Sequence, residues 1–280
     1  MQESIKKMQN NLKYLIKNIV SYIEYLKNDC KLEISIHFNR SVFSAMPQEI
    51  LQKILPYNSH TNLYCTFVKR KSRCRCLDNQ KVIFEKCKSG VPFYNTCYAG
   101  CYEYIYPVFE KRQAVGFVAL SGYRQQAFGG VYDTTLWETE LAGEEIPQNL
   151  CAALVPPLVI MLERLLQTEY GNQENEYNLI LQFLNEYYCD ITLSDLSRHF
   201  NRSISHISHL FKKESGVTIR TYCNNLKLDN AANLLLKTDK SVTEIAYDTG
   251  FNDASYFIHL FKEKFGKSPL KYRNTKNQNL

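Results

Sequence analysis

The chain has 280 residues, which is enough for two ordinary domains, and a formal net charge of +6, which is too small to establish a nucleic-acid partner. The longest apolar run, residues 150–162, is too short to cross a membrane and contains two prolines, so we expect a cytoplasmic protein without membrane contact. In that compartment the ten cysteines stay reduced, which favours metal binding, redox sensing or plain packing over disulfides.

The first half of the chain predicts a helix followed by a sheet. Residues 1–28 place apolar side chains at helical spacing, which predicts an amphipathic helix that either forms a dimer or packs on its own domain. Between about residues 32 and 125 the pattern changes to short β-rich stretches, at 32–38, 103–109 and 115–121. Residues 110–113 are typical of a hairpin turn, so we predict an α+β domain with a small antiparallel sheet.

The second half of the chain is helical in pattern. Residues 145–170 predict a helix with a break or a new start at Pro156-Pro157, and the polar residues 171–176 predict a linker. Everything beyond Tyr177 has helical period and no convincing strand. The predicted organisation is therefore an N-terminal domain at 1–170, a linker at 171–176 and an all-α domain at 177–280.

The all-α domain contains a duplicated unit. The segment 209–222 recurs as 259–272. The match continues upstream of both segments, at an offset that is one residue shorter. Each copy opens with a capping box, Thr192 with Asp195 or Ser241 with Glu244. A short helix, a tight turn that contains Asn201 or Gly250, and a second helix follow in each copy. This order is typical of a helix-turn-helix, whose second helix enters the DNA major groove.

The outer face of each second helix carries the candidate DNA contacts. The base-facing positions repeat at i, i+3 and i+4, and they are Ser205, Ser208 and His209 in copy one and Ser255, Ile258 and His259 in copy two. Basic residues suited to phosphate are Lys212, Lys262 and Arg273. The helical stretch 222–236 between the copies is long enough to hold the two helices roughly one DNA turn, ~34 Å, apart.

The duplicated unit resembles the AraC/XylS type of transcription regulators. The residues that carry the resemblance are Ile245-Ala246, Gly250-Phe251, Ser255-Tyr256-Phe257, Phe261-Lys262, Gly266, Ser268-Pro269 and Tyr272-Arg273. It covers about residues 177–275 and implies a double helix-turn-helix domain that binds a double-stranded operator, more often as an activator that works with RNA polymerase. Copy one departs from the pattern at Ser197, where alanine is usual, and in its turn, which lacks glycine.

The N-terminal domain concentrates six cysteines between residues 65 and 101. Candidate ligands for zinc or an iron–sulfur centre are Cys74, Cys76, Cys97 and Cys101, although their spacing is looser than that of well-attested zinc sites. Buried, inert thiols and reversible oxidation are the alternatives, the latter because nearby arginines can lower a thiol pKa.

The same domain resembles the PocR-type ligand-sensing domain, a PAS-like fold often joined to AraC-type modules. The residues that carry this resemblance are Cys65, Cys76, Asp78, the segment Cys97-Tyr98-Ala99-Gly100, Glu103, Pro107, Gly116 and Gly122. It covers roughly residues 30–165 and implies a pocket over the sheet for a small organic effector, close to Cys65, Cys76, Cys97 and Tyr98. Tyr98 stands where that family usually has histidine.

Together these patterns favour an effector-responsive, DNA-binding transcription regulator that is not an enzyme. Two alternatives remain open: a redox- or metal-responsive regulator, and a DNA methyl-damage response protein with a methyl-accepting cysteine. A homodimer is compatible with each of these functions. Because Ser208 in copy one is replaced by Ile258 in copy two, we expect the copies to read different half-sites.

Overall fold

The structure is a computed structural model that describes residues 2–125, 128–143, 145–167, 175–188 and 191–274. The chain divides into two compact units, Met1–Gln182 and Phe183–Leu280. The predicted linker at 171–176 lies mostly outside the described residues, and helix α7 already begins at Glu176.

The N-terminal unit mixes helices and strands. Its elements are α1 (Gln2–Asn28), β1 (Glu33–Phe38), α2 (Arg40–Ala45), α3 (Gln48–Ile54), a 3-10 turn (Leu55–Tyr57), α4 (Leu63–Cys87), β2 (Phe93–Thr96), β3 (Cys101–Glu110), β4 (Gln113–Arg124), α5 (Thr134–Glu140), α6 (Gln148–Leu166) and α7 (Glu176–Tyr187), which crosses into the second unit.

The four strands form one antiparallel sheet in the order β1-β4-β3-β2. The three predicted strands are confirmed as β1, β3 and β4, whereas the short strand β2 was not predicted. The predicted hairpin is also confirmed, since Glu110 pairs with Gln113 across the turn. Lys111 and Arg112 both have positive φ, 48° and 69°, which is the backbone of a primed turn that follows the right-handed strand twist.

Helix α1 buries its apolar stripe in its own unit. Ile19, Ile23 and Leu26 are fully buried, and α1 packs against α6 and β1. The hydroxyl of Tyr22 donates a hydrogen bond of 2.8 Å to the carbonyl of Leu154 in α6. The sequence left open whether this stripe forms a dimer or packs on its own domain. In the structure it packs on its own domain.

Helix α6 continues through Pro156 and Pro157, so the predicted break there is wrong. The helix persists because Val155 and Leu158 on either side of the prolines are fully buried, and α6 packs against α1 and β3. That burial outweighs the loss of two backbone donors. By length and composition α6 is also the one helix in the described part of the chain that could cross a membrane.

Helix α4 corrects the prediction that residues 32–125 are mainly short β stretches. It is interrupted at Ser72, whose φ and ψ of −147° and 51° are not helical. Beyond this kink, Ile83 and Cys87 pack on the sheet residues Ile105 and Phe117. The sequence concealed this helix because its apolar residues do not form one continuous stripe across the kink.

The C-terminal unit is helical throughout its described residues. Its elements are α8 (Leu193–Phe200), α9 (Ile204–Ser215), α10 (Ile219–Lys237), α11 (Val242–Asp248), α12 (Ala254–Phe265) and α13 (Pro269–Arg273). The long helix α10 contacts α9, α11, α12 and α13, so it forms the centre of this unit.

Candidate nucleic-acid interface and ligand cavity

Both predicted capping boxes are present at the start of the duplicated units. The amide of Asp195 donates to the hydroxyl of Thr192 over 3.1 Å, and the amide of Thr192 donates back to the Asp195 carboxylate over 3.0 Å. Ser241 and Glu244 exchange the same two bonds at 3.1 and 2.8 Å. Each box satisfies backbone donors that the first turn of α8 or α11 would leave without a partner.

The turns that follow use left-handed backbone where the sequence predicts tolerant residues. Asn201 ends α8 with φ and ψ of 51° and 48°, and Gly250 follows α11 with φ of 87°. Asparagine and glycine are the residue types that adopt this region most readily. Both turns therefore redirect the chain into the second helix of the unit.

Helices α9 and α12 are capped at both ends. Ser203 accepts from the amide of His206 at the start of α9, and Asp253 accepts from the amide of Ser255 at the start of α12. Gly216 and Gly266 end the two helices with φ of 77° and 69°. These caps define helices of 12 residues each, with matching ends.

The inner faces of α9 and α12 account for the repeated apolar residues. Phe211 and Phe261 are fully buried. Each packs edge-to-face against the tyrosine that recurs eleven residues later in its copy, Tyr222 or Tyr272, with ring centroids 5.4 Å apart in both copies. The sequence repeat is therefore a repeat of the same core packing.

The outer faces bring together most of the predicted DNA contacts. In α9, Ser205, His209 and Lys212 are exposed and Ser208 is half-buried on the same side of the helix. In α12, all four corresponding positions are exposed, namely Ser255, Ile258, His259 and Lys262. Each face is a row of side chains free to meet a base edge or a phosphate.

Arg273 is placed differently from the other predicted phosphate contacts. Its guanidinium donates to the carbonyl of Leu235, over 3.3 Å, and to the carbonyl of Lys240. These bonds connect α13 to the end of α10 and to the segment that follows it. Arg273 thus holds the second helix-turn-helix against the central helix.

A groove of about 900 Å³ in this unit contains polar residues that the sequence analysis missed. The Arg220 guanidinium lies 5.8 Å from the centre of the Tyr256 ring, and Asn224 donates to the hydroxyl of Tyr256 over 3.2 Å. Ser208 and Lys212 line the same groove. The sequence analysis treated α10 only as a spacer between the two copies, although its exposed Arg220 could have indicated a polar groove.

The N-terminal unit encloses a cavity of about 50 Å³ between α4 and the sheet. Its walls combine apolar side chains with titratable ones, among them His37, His60, Cys65, Val68, Lys69, Cys76, Ile83, Cys97, Tyr98, Cys101, Glu103 and Phe117. All four residues predicted near an effector, Cys65, Cys76, Cys97 and Tyr98, are in this set. The sequence analysis did not predict that His37, His60 and Glu103 line the same cavity.

The titratable groups in this cavity are mostly held neutral. Burial lowers the pKa of His60 to about 3 and lowers that of His37 well below its ordinary value, with Lys69 contributing to both shifts. Burial raises the pKa of Glu103 well above its ordinary value. His60 Nε2 lies 3.5 Å from Glu103 Oε1, which is long for a charge-assisted bond and agrees with a neutral pair.

The cysteines of the cavity form two groups. The sulfur of Cys76 lies 3.0 Å from the hydroxyl of Tyr98, which in turn donates to the carbonyl of Ser72 at the helix kink over 3.2 Å. The sulfur of Cys101 lies 3.5 Å from that of Cys65, and the amide of Cys97 donates to the carbonyl of Cys101 over 2.9 Å.

The predicted metal site cannot be assembled in full, because one of its four ligands has no described side chain. The side chain of Cys74 lies outside the described residues, and Cys76 is paired with Tyr98 rather than with Cys97 or Cys101. Over the described part of the chain, no group of three or more histidine, cysteine, aspartate or glutamate side chains is arranged to hold a metal ion.

Comparison with known proteins assigns the C-terminal unit. Residues 196–275 match the family described as a helix-turn-helix domain. The HTH-type transcriptional activator RhaS of Escherichia coli O139:H28 (strain E24377A / ETEC) is 32% identical over 117 residues, which are 41% of this chain and 42% of that protein. The chain thus spans about two fifths of the length of the curated relatives that it matches.

Solved structures match about a third of the chain. The C-terminal domain of the two-component response regulator yesN from Fusobacterium nucleatum is 37% identical, covers 34% of this chain and 94% of that one, and has a TM-score of 0.32. A transcriptional regulator with an AraC-type DNA-binding domain from Chromobacterium violaceum is 26% identical, covers 31% and 79%, and has a TM-score of 0.30. The family match shows that the C-terminal unit contains a helix-turn-helix domain.

Proposed function

We propose that the chain is a transcription regulator that binds double-stranded DNA through its C-terminal unit and responds to a small organic effector through its N-terminal unit. The observation that carries the proposal is the pair of capped helices α9 and α12, each with an apolar inner face and an exposed polar outer face. This is the arrangement that a helix needs to enter a major groove while it stays anchored to its domain.

In this proposal the two helices read adjacent parts of one operator. His209 and His259 hydrogen-bond to base edges from equivalent positions, while Ile258 contacts a thymine methyl group where copy one presents Ser208. Lys212 and Lys262 neutralise phosphates and set the register. Ser205 and Ser255 complete the two faces, and the target of each chain is asymmetric.

The cavity beside the sheet is the proposed effector site. A volume of about 50 Å³ accommodates roughly three to five non-hydrogen atoms, because one water needs at least ~10 Å³ of such space. Val68, Ile83 and Phe117 offer apolar contacts, and the neutral pair His60 and Glu103 offers hydrogen bonds. A compact, uncharged molecule with one polar end fits these walls best.

The antiparallel sheet with helices on both faces supports the PocR-like, PAS-like identity proposed for this unit. In the proposed mechanism the effector favours one arrangement of the sheet and α6, and the end of α6 passes the change to the DNA-binding unit. The curated relatives are activators by name, which favours activation over repression. The proposal further includes RNA polymerase as a partner, the cytoplasm as the location and a homodimer as the assembly.

The DNA-binding half is tested by selecting operators from a random duplex pool with the full chain and footprinting the result. We expect protection of two successive major grooves per chain, and weaker operator binding after His209→Ala or His259→Ala. Glu214→Ala is the control, because Glu214 lies on α9 opposite the proposed contact face and its loss only adds positive charge. Protection of one groove per chain, or unchanged affinity of both histidine variants at moderate salt, would refute the assignment.

The effector half is tested separately by thermal shift with a panel of small diols, aldehydes and acids. A ligand that stabilises the protein should lose its effect in Phe117→Trp, in which a larger ring fills the cavity, and keep it in Ser205→Ala. A ligand that stabilises both variants equally binds elsewhere and would contradict the cavity as the effector site.

A further inference from the structure

The groove of about 900 Å³ in the C-terminal unit lies between the two proposed recognition helices, α9 and α12. Helix α10 contacts both of them and contributes the residues between them. Ser208 and Lys212, on the outer face of α9, line one side of the groove, and Tyr256, next to Ser255 in α12, lines the other. The groove therefore opens on the side of the unit that carries the proposed base contacts.

The charges along this groove favour an anion. Its described lining residues include three cations, Lys212, Arg220 and Lys227, and one carboxylate, that of Asp253. The carboxylate is engaged as the cap of α12, where it accepts from two backbone amides at 2.7 and 3.3 Å. Lys227 is engaged as well, because its ammonium donates to the carbonyl of Gly250 over 2.8 Å. Arg220 and Lys212 are therefore the cations that an anion in the groove would meet.

Arg220 is held by an aromatic ring rather than by an acid. Its guanidinium lies 5.8 Å from the centre of the Tyr256 ring, within the range of a cation–π contact, and the side chain remains exposed. A guanidinium over a ring keeps its N–H donors at its edge, where a phosphate accepts two of them. The hydroxyl of Tyr256 accepts a hydrogen bond of 3.2 Å from Asn224, which leaves its own proton for another acceptor.

This cluster belongs to the junction of the two copies and not to the repeated core. The residue of copy two that corresponds to Arg220 is Leu270, and the residue of copy one that corresponds to Tyr256 is His206. Because each copy lacks one member of the pair, the packing of a single helix-turn-helix unit does not require it. The pair exists only where the two copies meet.

We propose that Arg220 and Tyr256 bind the phosphodiester backbone beside the minor groove that separates the two half-sites. This proposal rests on the proposed function, because two helices in successive major grooves leave one minor groove facing the protein between them. The backbone that borders this minor groove then passes over α10. Arg220 neutralises a phosphate there, the hydroxyl of Tyr256 donates to a phosphate oxygen, and Asn224 fixes the ring.

The test measures the affinity of the full chain for its selected operator as a function of salt. Arg220→Ala should lower the slope of log affinity against log salt by about 0.9, so that its loss of affinity shrinks roughly 3.5-fold between ~0.05 and ~0.2 M salt. Tyr256→Phe should weaken binding about fivefold without a change of slope, since it removes a donor and no charge. Lys237→Ala is the matched control and should change neither quantity, because it removes an exposed charge ~25 Å along α10 from Arg220.

An uncharged backbone locates the contact on the DNA. A methylphosphonate replaces one phosphate at a time beside the central minor groove of the operator. At the contacted phosphate it should weaken binding by the original chain and leave binding by Arg220→Ala without a further loss. Alanine is a good helix former at position 220, and circular dichroism verifies that each variant is folded.

The outcomes distinguish this contact from the proposed function. If the full chain selects no operator, both are refuted. An operator that the original chain and Arg220→Ala bind with the same salt slope would overturn the contact alone. So would a loss of affinity in Arg220→Ala that occurs only when the central base pairs are A·T, because a narrow minor groove rather than a phosphate would then hold the arginine.

Discussion

The neutral pair formed by His60 and Glu103 makes the stability of the N-terminal unit depend on pH in a way that two substitutions can separate. His60 has a folded pKa of about 3 against an ordinary value of 6.5, so between these values the unfolded chain binds a proton that the folded chain does not. Stability from this residue is therefore present above pH 6.5 and is lost as pH falls. Between pH 6.5 and 5.0 the loss is about 1.6 kcal/mol.

Glu103 acts in the opposite direction. Its folded pKa is raised well above the ordinary 4.5, so the folded chain keeps a proton that the unfolded chain releases as pH rises. Its contribution is complete below pH 4.5 and declines as pH rises above that value. Between pH 5.0 and 6.5 the two residues therefore oppose each other, and the buried His37 adds a loss of stability on acidification of its own.

We therefore expect His60→Gln and Glu103→Gln to change the pH dependence with opposite signs. Relative to the original chain, His60→Gln should be less destabilised by a change from pH 6.5 to 5.0, by about 1.6 kcal/mol, and Glu103→Gln should be more destabilised by the same change. Urea unfolding followed by fluorescence measures this, because the single tryptophan, Trp137, lies in α5 of the N-terminal unit. If the pair were ionised in the folded state, neither variant would alter the pH dependence in this interval, and that result would refute the reasoning.

Three further predictions concern the C-terminal unit. Gly266→Ala should destabilise this unit by ~1–2 kcal/mol in urea unfolding followed by circular dichroism. The φ of Gly266 is 69° and the added Cβ contacts no neighbouring atom, so the loss comes from backbone strain alone. An unchanged unfolding midpoint would contradict this. Ser241→Ala should cost about 1 kcal/mol in the same assay through loss of its cap, with no change in denaturant slope. Lys262→Ala should lower the slope of log affinity against log salt by about one, whereas Arg273→Ala should leave that slope unchanged and reduce stability, because its guanidinium bonds backbone carbonyls.

The parts of the fold that the sequence predicted are those set by neighbouring residues. The capping boxes at Thr192 and Ser241 and the left-handed turn at Asn201 each depend on residues within one or two helical turns. The positions of His209 and His259 on an outer face likewise follow from helical spacing to the buried phenylalanines in the same helix. Such features are readable from one sequence because the physics that produces them is local.

The cavity could not be predicted in the same way, because its residues meet only through the sheet. His60 and Glu103 are separated by a helix and a strand, and neither has a partner at a diagnostic spacing. Helix α4 was missed because Ser72 interrupts it. The loop around Cys97 did leave a signal, since Gly100 between two cysteines is typical of a hairpin loop, and reading it that way would also have predicted β2.

The second helix-turn-helix unit is attached to α10 by polar bonds, and these bonds bear on the proposed reading of two half-sites. Copy two is fastened by polar bonds: Lys227 donates to the carbonyl of Gly250 over 2.8 Å, Lys264 pairs with Asp229 at 2.7 Å, and Arg273 bonds the end of α10. At the position of copy one equivalent to Arg273 stands the buried Cys223.

In the proposed complex with DNA, each recognition helix must be held at the right distance from the other, and the contacts along α10 would set that distance. Loss of the bond between Lys264 and Asp229 should therefore weaken binding to an intact operator while leaving the preferred bases of each half-site unchanged. A change in base preference instead would mean that α10 orients the recognition helices individually rather than setting the distance between them.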